Sequence, residues 1–147
     1  MAEVNQAIAQ IMNERFGHDC LVSLATHNGA LIDARVVNGY YENGAFYVIT
    51  HALSGKMQQI RTNPGVAICG DWFTAHGVAE NLGHVLKPEN ARIDARLRDV
   101  FSTWYGARHS DDSDPNLIIL KIHLTDGVLI SQGARYHVDF TKLYTPN

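Results

Sequence analysis

The chain has 147 residues, 46% of them hydrophobic and 18% charged, which is the balance of one globular domain with a sizeable core. A net charge of -3 argues against a general nucleic-acid binder, and no apolar run is long enough to span a bilayer. The polar, acidic start has no apolar signal-peptide segment. Cys20 and Cys69 stand far apart in apolar contexts and read as reduced core thiols of a cytoplasmic protein, with a disulfide as the alternative.

Residues 2–16 carry Val4, Ile8, Ile11 and Met12 on one helical stripe, and Gly17 follows as a stop. Residues 20–26 alternate as a strand. Asn28-Gly29 is a hairpin signal that sends the chain back along residues 30–37. A second such signal, Asn43-Gly44, leads into the apolar, β-branched and aromatic strand 46–50.

The stretch after this strand carries the functional reading. Ser54 is an N-cap, Met57 and Ile60 share one helical face, and Pro64 ends the helix. A strand ending in Thr50 that passes through Ser54-Gly55-Lys56 into a helix start suits an anion. Free backbone N–H groups and the helix dipole favour negative charge there, and Gly55 allows close approach. The plainer reading makes Ser54 an ordinary cap and Lys56 a solvated residue. Against it, a lysine in the first helical turn opposes the dipole, at a cost of about 0.3–1 kcal/mol unless an anion compensates.

Residues 66–69 are a further strand, Gly70-Asp71 a bulge or bend, and 75–86 another strand with Gly77 and Gly83 at bulges. Lys87-Pro88 opens a helix whose apolar face is Ile93, Leu97, Val100, Phe101 and Trp104. Residues 111–115 form a loop, and 117–124 a strand that 128–131 continue or pair with. Six strands joined by hairpins, with three helices, predict a mainly antiparallel sheet closed into a small barrel with flanking helices.

Arg35-x-Val37, Thr50-x-x-x-Ser54-Gly55-Lys56, Asn63-Pro64 and Gly77-x-Ala79, in this order, resemble the pyridoxamine 5′-phosphate oxidase-related family. Within it they are most similar to the short general-stress-protein-like branch, over roughly residues 5 to 130. The resemblance implies an antiparallel six-stranded split β-barrel and a homodimer with FMN at its interface. By position, Arg35, Ser54 and Lys56 would hold the flavin phosphate, and Thr50 the phosphate or the ribityl chain. Val36, Val37, Val48 and Ile49 would present backbone or side chain to the isoalloxazine ring. Arg and Lys are the charge-assisted donors such a phosphate needs.

The implied activity is that of an FMN-dependent oxidoreductase on a small molecule. The alternative is a non-catalytic stress-related protein binding flavin, haem or deazaflavin. The full-length vitamin B6 oxidases carry a lysine where Tyr40 stands. Their substrate-binding Arg-x-His spacing recurs at Arg135 and His137, in a different surrounding pattern. Among the eight histidines, His51 lies beside the proposed site, and no pair has zinc-ligand spacing with suitable partners. Asp112-x-Asp114-x-Asn116 imitates a calcium loop but has Leu117 where the glycine belongs. His18 and Cys20 share a strand face without an orienting acid, which favours a structural role.

Overall fold

The computed structural model describes residues 2–105 and 112–144. Helix α1 (Ala2–Phe16) buries Ile8, Met12 and Phe16, a spacing of four that keeps one face on the core, while Val4 stays exposed. Gly17 donates its N–H to the Asn13 carbonyl, and a Cβ there would stand 2.3 Å from that oxygen.

Strands β1 (Cys20–Asn28) and β2 (Leu31–Glu42) pair antiparallel from Cys20↔Gly39 to Asn28↔Leu31. The turn therefore lies at Gly29 and Ala30, one residue beyond the Asn-Gly signal, with Gly29 at φ +62°. The second hairpin turns at Asn43 and Gly44, both at positive φ, and leads into β3 (Ala45–His51). Helix α2 (Gly55–Thr62) follows and buries Met57 and Ile60.

Strands β4 (Gly65–Gly70) and β5 (Phe73–His84) form a hairpin closed by Gly70↔Phe73. The bend expected at Gly70-Asp71 is thus a two-residue turn of Asp71 and Trp72, with Trp72 at φ +51°. The bulges expected at Gly77 and Gly83 coincide with register shifts between His76 and Gly77 and between Asn81 and His84. Pro88 starts a short 3-10 turn before helix α3 (Ala91–Val100). Residues 117–131 form one long strand, β6 (Leu117–Ser131). The segment after Gly133 adds a strand, β7 (Ala134–Asp139), and a short helix, α4 (Phe140–Leu143), so the sheet has one strand beyond the six expected for the barrel.

The sheet runs β3-β2-β1-β4-β5-β6, and β6 returns to β3, closing a six-stranded antiparallel barrel. β6 serves two neighbours along one edge: residues 117–123 pair with β3 and residues 126–131 with β7. The core inside is built from Leu24, Phe46, Val48, Ile68, Leu120 and Ile122, with Met12 and Phe16 of α1 and Met57 and Ile60 of α2 packed on it. A second cluster lies outside the barrel wall, where Ile93, Leu97 and Phe101 cover Tyr40, Tyr47 and Ile119. No helix among the described residues is long and apolar enough to cross a membrane.

The barrel is not evenly closed. β2 pairs with β3 only over Tyr40–Glu42, against Tyr47, Phe46 and Ala45. Toward the other end β2 keeps β1 on one edge, β3 keeps β6, and no strand pairing joins the edges that face each other. The wall splits there, leaving Arg35 to Val37 on one lip and Val48 to His51 on the other.

Candidate functional site: a cationic split between two strands

Arg35 lies opposite Leu24 on β1, so its side chain shares the inner face with Leu24 and Thr26. Its Nη1 donates to Thr26 Oγ1 at 2.6 Å and to the Leu24 carbonyl at 3.3 Å, and its Nη2 donates to Gln59 Oε1 at 3.2 Å. Thr26 is 1% exposed and donates its own hydroxyl to Gln59 Oε1. These bonds use three of the five guanidinium N–H groups. The edge formed by Nε–H and the second Nη2–H has no partner among the described residues, and it is the fork that suits two oxygens of one anion.

Lys56 reaches the same region from the first turn of α2. Its Nζ lies 3.5 Å from Ser54 Oγ. Burial, and then the positive charge of Arg35, push the Lys56 ammonium below the usual lysine range. Ser54 occupies the N-cap of α2, yet its hydroxyl makes no capping bond. A Cβ on Gly55 would meet nothing within 4 Å, so the backbone there is open to a ligand. Thr50, 8% exposed, lies on the β3 lip, one residue before its end at His51.

No carboxylate among the described residues lies within 4.0 Å of Arg35 or Lys56. Two cations are thus held close enough to perturb each other without a counter-charge. A donor-rich set of guanidinium, ammonium, hydroxyl and helix-start N–H groups is the chemistry of a phosphate cradle.

The remaining residues expected at the site are placed unevenly. Val36 is exposed on the outer face of β2, while Val37 is half-buried against the core. The Val48 side chain is buried in the core, so only its backbone faces the split. Ile49 packs toward the α3 cluster. His51 accepts from the Leu53 N–H at Nδ1 and approaches Asp114 with Nε2 at 3.5 Å, bracing the turn before α2. Arg135 and His137 lie on β7, pairing with Ile130 and Val128, and β7 has no pairing with either lip of the split. Sequence reasoning missed Thr26 and Gln59. The signal available was a hydroxyl at an inward position of the Val22, Leu24, Thr26 alternation.

Other candidates resolve into structural roles. Asp112 pairs with Arg98, and Asp114 accepts from the Asn116 N–H. Cys20 is half-buried, and burial together with Asp19 pushes its thiol up to about 11. Cys69 is exposed rather than a core thiol, because it points outward from β4.

No family model matches the sequence, and no curated protein does. Solved structures match the fold. A pyridoxinephosphate oxidase family protein from Clostridium acetobutylicum, related to general stress protein 26, superposes with a TM-score of 0.62 at 10% identity, covering 98% of this chain and 99% of that one. General stress protein 26 from Bacillus anthracis gives 0.60 at 19% identity, over 93% and 98%. A FAD-binding protein from Mesorhizobium loti gives 0.59 at 15% identity, over 81% and 91%. The chain has the split-barrel fold of these proteins.

Proposed function

We propose that the chain is an FMN-binding oxidoreductase acting on a small molecule. The observation that carries this reading is the pair of Arg35, bonded to Gln59 of α2, and Lys56, one turn earlier on the same helix, with no carboxylate of the described residues within 4.0 Å of either at the mouth of a split barrel. Neighbours of the same fold that are described as FAD-binding, or as members of the pyridoxinephosphate oxidase family, support a flavin. The donor set at Arg35, Ser54 and Lys56 supports one that ends in a phosphate.

In this reading the free Nε/Nη2 edge of Arg35, the Lys56 ammonium and the Ser54 hydroxyl hold the phosphate, and Thr50 the adjoining polyol. The lips of the split, Val36 and Val37 on one side and Val48 and Ile49 on the other, flank the ring with backbone edge groups. When bound, the flavin supplies the electron transfer, while the protein binds, orients and shields it.

The same reading makes the protein a homodimer with the flavin at the interface. Leu21, Ile32 and Val36 are 62–70% exposed on the outer face of β1 and β2, beside the split. An apolar patch of this kind is the signature of a surface covered by another molecule, and a two-fold copy is the commonest cover.

The experiment is the visible spectrum of the purified protein before and after adding FMN. A yellow preparation, or uptake of FMN with turnover on an acceptor when a nicotinamide donor is added, is the expected result. A colourless protein that takes up no FMN ends the reading.

A further inference from the structure

We infer that Gln59 is a neutral spacer that keeps Arg35 available to an anion by holding Asp33 away from it. The inference rests on the phosphate reading of Arg35.

Asp33 and Arg35 stand two apart on β2 and share its inner face. Opposite charges so placed are within reach of each other. They nevertheless form no ion pair. The Gln59 side chain, entering from α2, lies between them. Its Oε1 accepts from Arg35 Nη2 at 3.2 Å and from Thr26 Oγ1, while its Nε2 donates to Asp33 Oδ2 at 2.9 Å. Asn28 Nδ2 donates to the same Asp33 oxygen at 3.0 Å, which holds the carboxylate on the far side.

The arrangement is directional. An amide offers an acceptor to the guanidinium and a donor to the carboxylate from one planar, uncharged group. The amide oxygen orients Arg35 without cancelling its charge, as a carboxylate would. Asp33 fixes which way the amide points, because its carboxylate accepts only. Gln59 is therefore a positioning residue, acting on the ligand through Arg35.

The test uses Gln59→Leu, Gln59→Glu and the double variant Gln59→Leu/Asp33→Asn, each titrated with FMN and with riboflavin, which lacks the phosphate. Gln59→Leu is expected to lose roughly 10- to 150-fold in FMN affinity, the worth of one charge-assisted hydrogen bond, with riboflavin within about twofold. Gln59→Glu, which sets a carboxylate directly on Arg35, is expected to lose FMN in the same selective way. Asp33→Asn added to Gln59→Leu is expected to restore most of the FMN affinity, because the competing carboxylate is gone.

Unchanged FMN affinity in Gln59→Leu, equal losses for both flavins, or no recovery in the double variant would each overturn the spacer. A crystal structure of ligand-free Gln59→Leu gives a readout that does not depend on flavin: Arg35 is expected on Asp33, and an unmoved Arg35 overturns the inference. Failure of the wild type to bind FMN, with Arg35 still collapsing onto Asp33 in the variant, would remove the phosphate reading and leave the spacer standing.

Discussion

Arg35 Nη1 donates to the buried Thr26 hydroxyl at 2.6 Å, and this bond turns a strand arginine into a fixed fork aimed at the split. Thr26 also donates to Gln59, so a single oxygen ties β1, β2 and α2 together. Thr26→Val keeps the shape of the side chain and removes both bonds. It is expected to destabilise the fold by about 1–3 kcal/mol, the cost of stranding buried polar partners. FMN is expected to bind more weakly and riboflavin nearly unchanged. Urea unfolding and the two titrations check this.

Lys56→Ala tests the cradle from the other side. Loss of one charge-assisted bond to phosphate corresponds to a roughly 10- to 150-fold weaker affinity for FMN. Riboflavin affinity is expected to stay the same. The ligand-free protein is expected to gain up to about 1 kcal/mol, because an ammonium at a helix N-terminus opposes the dipole. Equal loss for both flavins, or for neither, would rule out a phosphate contact at Lys56.

The pH dependence follows from the direction in which Lys56 is shifted. Burial and Arg35 lower its value in the folded protein below the ordinary 10.5. Between the lowered value and 10.5, the unfolded chain binds more protons than the folded one, so ligand-free stability contributed by this group rises with pH through that window. An FMN phosphate favours the charged ammonium and reverses the trend. FMN affinity is therefore expected to fall as pH rises through the folded Lys56 value, with proton uptake on binding. Lys56→Arg is expected to remove that fall, since a guanidinium does not titrate there. Calorimetry in buffers of different ionisation enthalpy measures the uptake.

Ile32 is 70% exposed on the outer face of β2, opposite His27 of β1, and takes part in none of the hydrogen bonds of the site. Ile32→Asp is expected to give a monomer by light scattering while leaving the unfolding midpoint of the monomer unchanged. If FMN sits at the interface of two copies, the variant also loses FMN. A dimer that survives Ile32→Asp would place the covered surface elsewhere.

Local chemistry was legible in the sequence. Two glycine-containing turns, the strand and helix alternations, the bulges at Gly77 and Gly83 and the Ser54-Gly55-Lys56 helix start all depend on neighbours within a few residues. The charges of Arg35 and Lys56 and their meeting at one spot followed from a family resemblance resting on the same short motifs. The tertiary structure decided the rest, because it depends on pairings far apart in the chain. β3 finds β6 some seventy residues later, and that pairing opens the split. Gln59 reaches Thr26, Asp33 and Arg35 across two strands, a meeting that no spacing along α2 encodes. Whether Val48 faces a ligand or the core, and whether Cys69 is buried or exposed, turned on which face of each strand the closed barrel enclosed. Alternation tells which residues share a face, and only closure of the sheet tells which face is inside.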